Sequence, residues 1–94
     1  MGGEVKVRIP EALRQFAEGR RELYITASSV DELMAGAAEA GYGALVNHIC
    51  ARDGQLRPFV NVYVGDTSIR VLDGLRTGLR TGDVVTILPS IAGG

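Results

Sequence analysis

Ninety-four residues, 46% hydrophobic and 22% charged, are the proportions of one folded domain with a single core and no space for a second. Ten basic and eleven acidic residues leave a net charge of −1, so no whole-molecule field favours nucleic acid or an anionic membrane. Cys50 is the only cysteine. It excludes an intramolecular disulfide and makes a reducing cytoplasm the expected compartment. No apolar stretch approaches the ~20 residues that span a bilayer. The N-terminus lacks the basic-then-apolar pattern of a signal peptide. Met1-Gly2-Gly3 does not read as a myristoylation signal either, because Lys6 stands where Ser or Thr is required.

In chain order, Glu4-Val5-Lys6-Val7-Arg8-Ile9 alternates charged and apolar residues, the period-2 signature of a strand with one buried face. Pro10 ends it. Residues 11–19 read as a loose connection with at most a helical turn. Alternation resumes over 21–26, with Leu23 and Ile25 on one face, and predicts a hairpin partner for the first strand. The period then changes. Val30, Leu33, Met34, Ala37 and Ala38 are spaced as the apolar stripe of an amphipathic helix. Ser29 followed by Glu32 forms a capping box at its start, and Gly41 is placed to stop it in a left-handed conformation.

A second helical piece is expected over 43–51, with Leu45 and Ile49 inward, followed by a turn at Asp53-Gly54. Phe59 to Val64 is strand-like, and Gly65-Asp66 turns it toward a short strand at 68–70. Residues 72–82, with Leu72, Leu75 and Leu79 among glycines and threonines, suit a packed loop with a turn or two of helix. The last strand, Val84 to Leu88, is apolar on both faces, as a central strand would be. The order β-β-α-β-β-β gives an α+β fold. Its mixed sheet of four to five strands carries one main helix across one face, the first and last strands lying parallel at the centre: the β-grasp, or ubiquitin-like, architecture. The whole of 1–94 is one domain, with 89–94 as an extended, flexible C-terminal tail.

Enzyme signatures are absent. One histidine and one cysteine without clustered ligand spacing give no metal site. His48 and Cys50, two apart, would point to different sides of a helix and form no nucleophile–base pair. Gly74, Gly78 and Gly82 lack the spacing of a phosphate-binding loop. Asp73 and Asp83 are explained by turn chemistry. Tyr42, Phe59 and Tyr63 are too few, and too uncharged in context, to stack nucleic-acid bases.

What remains is the end of the chain. If the last strand stops near Leu88, six residues from Pro89 to Gly94 extend roughly 20 Å beyond the sheet at ~3.3 Å each. Pro89 has no amide hydrogen and is expected to release the chain from the ladder. Ser90, Ile91 and Ala92 supply one apolar anchor among small residues. Gly93 and Gly94 lack Cβ atoms and fit a slot too narrow for other residues. The residues alone leave two readings open, a chemical handle and a frayed end.

The run Gly82-Asp83-Val84-Val85-Thr86-Ile87-Leu88-Pro89-Ser90-Ile91-Ala92-Gly93-Gly94 resembles the C-terminal signature of the ThiS/MoaD sulfur-carrier family. Phe59 to Asp66, then Ile69-Arg70 and Asp73-Gly74-Leu75, resemble that family's central hairpin, most of all in its actinobacterial CysO-type branch. The resemblance is weaker over 15–21 and 41–57, where partner choice is expected to lie. It implies a protein co-substrate rather than an enzyme. The Gly94 carboxylate would be adenylated by an E1-like, ATP-dependent activating enzyme, converted to a thiocarboxylate, and delivered to a sulfur-accepting biosynthetic synthase (for cysteine, molybdopterin, thiazole or a thiosugar). Gly93, Ala92, Ile91, Ser90 and Pro89 would contact those partners. No cofactor would be bound, ATP being consumed by the activating partner, and the free carrier would be a monomer. The same chemistry would serve a ubiquitin-like modifier conjugated through Gly94. An interaction domain with an incidental diglycine is the non-chemical alternative.

Overall fold

The computed structural model describes residues 3–89. Strand β1 (Gly3–Arg8) pairs antiparallel with β2 (Glu22–Ala27), with Val5 opposite Ile25 and Val7 opposite Leu23. All four side chains are buried, while Glu4 and Arg8 face outward, as the alternation predicts. Between these strands, Glu11–Ala17 is a 3-10 helix rather than a loose connection. Leu13 and Ala17, four apart, are both buried, and Phe16 packs against the core. That apolar side holds the segment down. Glu18 (φ 56°) and Gly19 (φ 78°) then turn it, with the Gly19 amide donating to the Arg14 carbonyl at 2.8 Å.

Helix α1 (Val30–Ala37) buries Val30, Leu33, Met34 and Ala37. Ser29 Oγ accepts from the Glu32 amide at 3.2 Å, so the predicted cap is present. The Glu32 carboxylate completes the box one residue upstream of expectation, on the amide and hydroxyl of Ser28. Gly41 is left-handed, at φ 101° and ψ 6°, as expected of the residue that stops the helix: it is the non-helical residue at the kink between two helices. A π-helical turn (Ala38–Tyr42) leads into α2 (Gly43–Ile49), and Ala38, expected in the apolar stripe, is exposed. The α1 helix lies close on the sheet. A Cβ at Gly36 would come within 2.9 Å of the Ile25 side chain.

Strand β3 (Val60–Val64) turns through Gly65 into β4 (Thr67–Ser68), shorter and earlier than the expected 68–70. The Ile69 amide still donates to the Val62 carbonyl at 2.9 Å, but the chain then turns, the amides of Val71, Leu72 and Gly74 folding back onto the carbonyls of Ser68 and Ile69, so Arg70 takes no ladder position. The following loop holds one 3-10 turn (Gly74–Arg76) and is tied to the start of α1: the Val30 amide donates to the Thr77 carbonyl, and the Leu79 amide to that of Ser28. Strand β5 (Val84–Pro89) completes a five-stranded sheet in the order β2-β1-β5-β3-β4. It runs parallel to β1 and antiparallel to β3. This is the β-grasp arrangement.

One expectation for β5 needs correcting. Val85 and Ile87 are buried, but Leu88 is 44% exposed and Val84 and Thr86 are only half-buried. A strand central within its sheet need not be covered on both faces. The helices cover one side of this two-layer fold, and the other side of β5 faces outward.

Leu33, 1% exposed, sits between α1 and the sheet. Leu33→Ala is expected to cost about 2–5 kcal/mol of unfolding free energy through lost burial and a residual cavity. Ser29→Ala should cost about 1 kcal/mol through the lost cap. Urea denaturation of the two variants checks both magnitudes and their order.

Candidate functional site

Because β1 and β5 are parallel, their C-terminal ends lie on the same edge of the sheet, where antiparallel β3 begins. At that edge Pro89 stands opposite Val60. The Val60 amide donates to the Arg57 carbonyl at 3.1 Å, and its carbonyl accepts from Arg70 Nη2 at 2.8 Å. Both backbone groups of Val60 are therefore used away from β5. Opposed residues of an antiparallel ladder alternate between bonded and non-bonded pairs. Here the proline, with no donor to offer, occupies a non-bonded pair. The expectation that Pro89 releases the chain at Leu88 is corrected accordingly: Pro89 is itself a rung of the ladder, the last among the described residues. Five residues of sequence follow Pro89. Ser90, Ile91, Ala92, Gly93 and Gly94, the remainder of the predicted site, lie outside the described residues.

Arg70 fixes this edge. Its guanidinium donates to the carbonyls of Arg57 and Val60 at 2.9 and 2.8 Å, and its Nε to Asn61 Oδ1 at 3.3 Å. The sequence places Arg70 only as a hairpin residue. Its role comes from folding back across the β3–β4 turn, which no local pattern announces.

Pro89 also forms one wall of a cleft of about 330 Å³, lined by Leu13, Asn47, His48, Arg57, Phe59 and Val60. Arg57 Nε donates to the Asn47 carbonyl at 2.8 Å, and the His48 ring stacks on Phe16 with centroids 4.0 Å apart. Phe59 is 60% exposed. Sequence reasoning gave His48 no role and placed Phe59 in a strand. The cleft escapes it because its walls come from four separate stretches of chain.

Cys50 lines a different hollow, with Met34, Val46 and Leu75, so His48 and Cys50 are not brought together. The thiol is pushed above its ordinary value of 9.0, first by burial and then by the Asp31 carboxylate, with Arg57 opposing. It is a protonated group at neutral pH and a poor nucleophile. Among the described residues no group of three or more His, Cys, Asp or Glu side chains is placed to hold a metal, and no helix is long and apolar enough to cross a membrane.

Two hairpins joined by a central parallel pair, with helices across one face, define a ubiquitin-like β-grasp protein. The chain belongs to the ThiS family, whose model matches residues 7–94. The sulfur carrier protein CysO of Mycobacterium tuberculosis is 35% identical over 92 residues, spanning 96% of this chain and 98% of its own. A chain in the crystal structure of the Amycolatopsis orientalis BexX/CysO complex is 32% identical with a TM-score of 0.84, covering 96% of this chain and 99% of that one. The solution structure of small archaeal modifier protein 1 from Methanosarcina acetivorans is 31% identical with a TM-score of 0.83, covering 100% and 99% respectively.

The raised thiol value carries a pH dependence. Folding holds a proton on Cys50 that the unfolded chain releases near pH 9.0. The associated stability is fully present below that pH and is lost as pH rises through the folded value. Thermal denaturation between neutral and alkaline pH should therefore show a steeper alkaline loss for the natural chain than for Cys50→Ser. Alkylation by iodoacetamide at neutral pH should be slower in the folded than in the unfolded protein.

Proposed function

We propose that this chain is a sulfur carrier whose reacting group is the Gly94 carboxylate. The observation that carries the reading is the continuity of β5, the central strand, into Ser90-Ile91-Ala92-Gly93-Gly94, in a chain similar over nearly its whole length to a sulfur carrier protein. A carboxylate is a poor electrophile, because resonance stabilises it and oxide does not leave. An ATP-dependent activating enzyme supplies the leaving group. The Gly94 carboxylate attacks the α-phosphorus of ATP, pyrophosphate departs, and an acyl adenylate forms. A sulfide equivalent then attacks the carbonyl carbon. The bond to AMP breaks, a C–S bond forms, and a thiocarboxylate results.

The chain's own contribution is mechanical and steric. The β1–β5–β3 ladder and the Arg70 bonds hold the point of exit, and the glycines leave the carbonyl unhindered. The sulfur then passes to a biosynthetic synthase, for cysteine, molybdopterin, thiazole or a thiosugar. The carrier binds no cofactor of its own and acts as a monomer between transient complexes. The BexX/CysO complex of Amycolatopsis orientalis supports docking of this kind of domain on a partner protein.

The likeness to small archaeal modifier protein 1 favours one further reading, conjugation of Gly94 to a target lysine as an isopeptide. Both readings need the same activation and part at the nucleophile.

Incubated with an activating enzyme from its own source, ATP and a sulfide donor, the chain should exchange one terminal oxygen for sulfur in the intact mass. Gly94→Ala should lower that yield by at least about tenfold, since a Cβ beside the carbonyl costs of order 1.4 kcal/mol or more in a narrow site. Cys50→Ser should load normally. An unchanged mass, with an enzyme shown to load another carrier, defeats the sulfur reading. Covalent adducts surviving a denaturing pull-down would move the assignment to a modifier.

A further inference from the structure

We propose that the cleft beside Pro89 is the surface recognised by the activating enzyme, and that it takes an apolar side chain flanked by a carboxylate from that enzyme. The inference rests on the sulfur-carrier reading above and adds the chemistry of the partner's contact. Reach supplies the first argument. Five residues separate Pro89 from the end of Gly94. At ~3.3 Å each, the reacting carbonyl lies within about 16 Å of Pro89. An enzyme that encloses Gly94 must come down against the surface around Pro89, and the cleft is part of that surface.

The lining supplies the second argument. Leu13, Val60 and Phe59 give it an apolar floor and wall, and Phe59 is 60% exposed, although its aromatic area would gain from burial. Arg57 lines the same cleft. Its Nε is held by the Asn47 carbonyl, and its terminal nitrogens make no hydrogen bond among the described residues. Among the described residues no carboxylate lines the cleft. Arg70 bonds the carbonyls of Arg57 and Val60, so the wall is set before any partner arrives. Preorganisation of this sort lowers the cost of association, and an exposed aromatic beside an arginine is the side-chain pairing in which interface energy concentrates. An apolar floor beside an unneutralised guanidinium is matched by an apolar side chain next to an acidic one.

The test is steady-state loading of the full chain by its activating enzyme with ATP and sulfide, comparing Phe59→Ala, Arg57→Glu and a control outside the cleft, Arg76→Glu. Phe59 is exposed and Arg57 half-buried with one side-chain bond, to the Asn47 carbonyl, so circular dichroism should match the natural chain and any fall in Tm should be no more than the loss of that bond explains. Each cleft variant is expected to raise KM for the carrier roughly tenfold with kcat unchanged, the loss typical of one interface anchor. The Arg57→Glu effect should shrink as salt is raised. Arg76→Glu should leave KM where it was.

Normal loading of the natural chain with unchanged KM for both cleft variants overturns the cleft and spares the carrier reading. No loading of the natural chain overturns both. Two other occupants have their own signatures, and either one overturns the proposal. A second copy would show as a dimer in sedimentation that Phe59→Ala dissociates. The chain's own tail would show as shifts of the Phe59 and His48 NMR signals in free Ile91→Ser.

Discussion

The parallel pairing of β1 with β5 is the constraint on which the rest of the molecule depends. Lys6, Val7 and Arg8 stand beside Val84, Val85 and Thr86, so the two ends of the described chain meet at the middle of the sheet. Everything between them is, in effect, one crossover. The β1–β2 hairpin and the β3–β4 hairpin share no ladder, and only β5 joins them. Val85 and Ile87 then carry the core across the join, packed with Val5, Val7, Val62 and the inward faces of both helices. Such non-local pairing closes a long loop before it is rewarded, so β5 is expected to dock late in folding.

That late strand is also the one that leads to the proposed reacting group. A carrier needs two things that pull against each other: a recognisable rigid body and an end free of side chains. Here they meet at one residue. Pro89 stands in the ladder at a position where its missing donor leaves no partner unsatisfied, since Val60 bonds to Arg57 and Arg70 instead. Had a bonded rung fallen at Pro89, the sheet would have lost a hydrogen bond at the point that must stay firm.

The parts of this architecture with a strong local period were legible in the sequence. Alternation at Val5 and Val7 placed β1. The stripe from Val30 to Ala38, with the Ser29–Glu32 box, placed the start of α1 to the residue, although Ala38 lies outside the buried face. The apolar run from Val84 placed β5 at the centre. Less legible were features set by tertiary contact. The 3-10 segment Glu11–Ala17 has only Leu13, Phe16 and Ala17 to hold it, too few for a periodic signal. The apolar character of Val84 and Leu88 suggested cover on both faces, yet only one layer of helices exists to provide it. Gly41 was legible as the left-handed stop between two helices, and Leu45 and Ile49 as the buried face of the second. Of the candidate site, only Pro89 falls within the described residues, and the wall of Arg57, Phe59 and Arg70 around it could not have been assembled from spacing.

The distribution of chemistry over the molecule follows from the same constraint. A domain of this size buries a core that is almost wholly apolar, and Thr77 is the only buried polar side chain among the described residues. It is satisfied locally, donating to the Gly74 carbonyl and accepting from the Asp73 amide. No interior polar group is left unpartnered among those residues. The lone thiol keeps its proton, and the lone imidazole is stacked on Phe16. None of these described groups is poised for chemistry, which agrees with the proposal that the reacting group is the Gly94 carboxylate and that the shape and charge around Pro89 meet the enzymes that would use it.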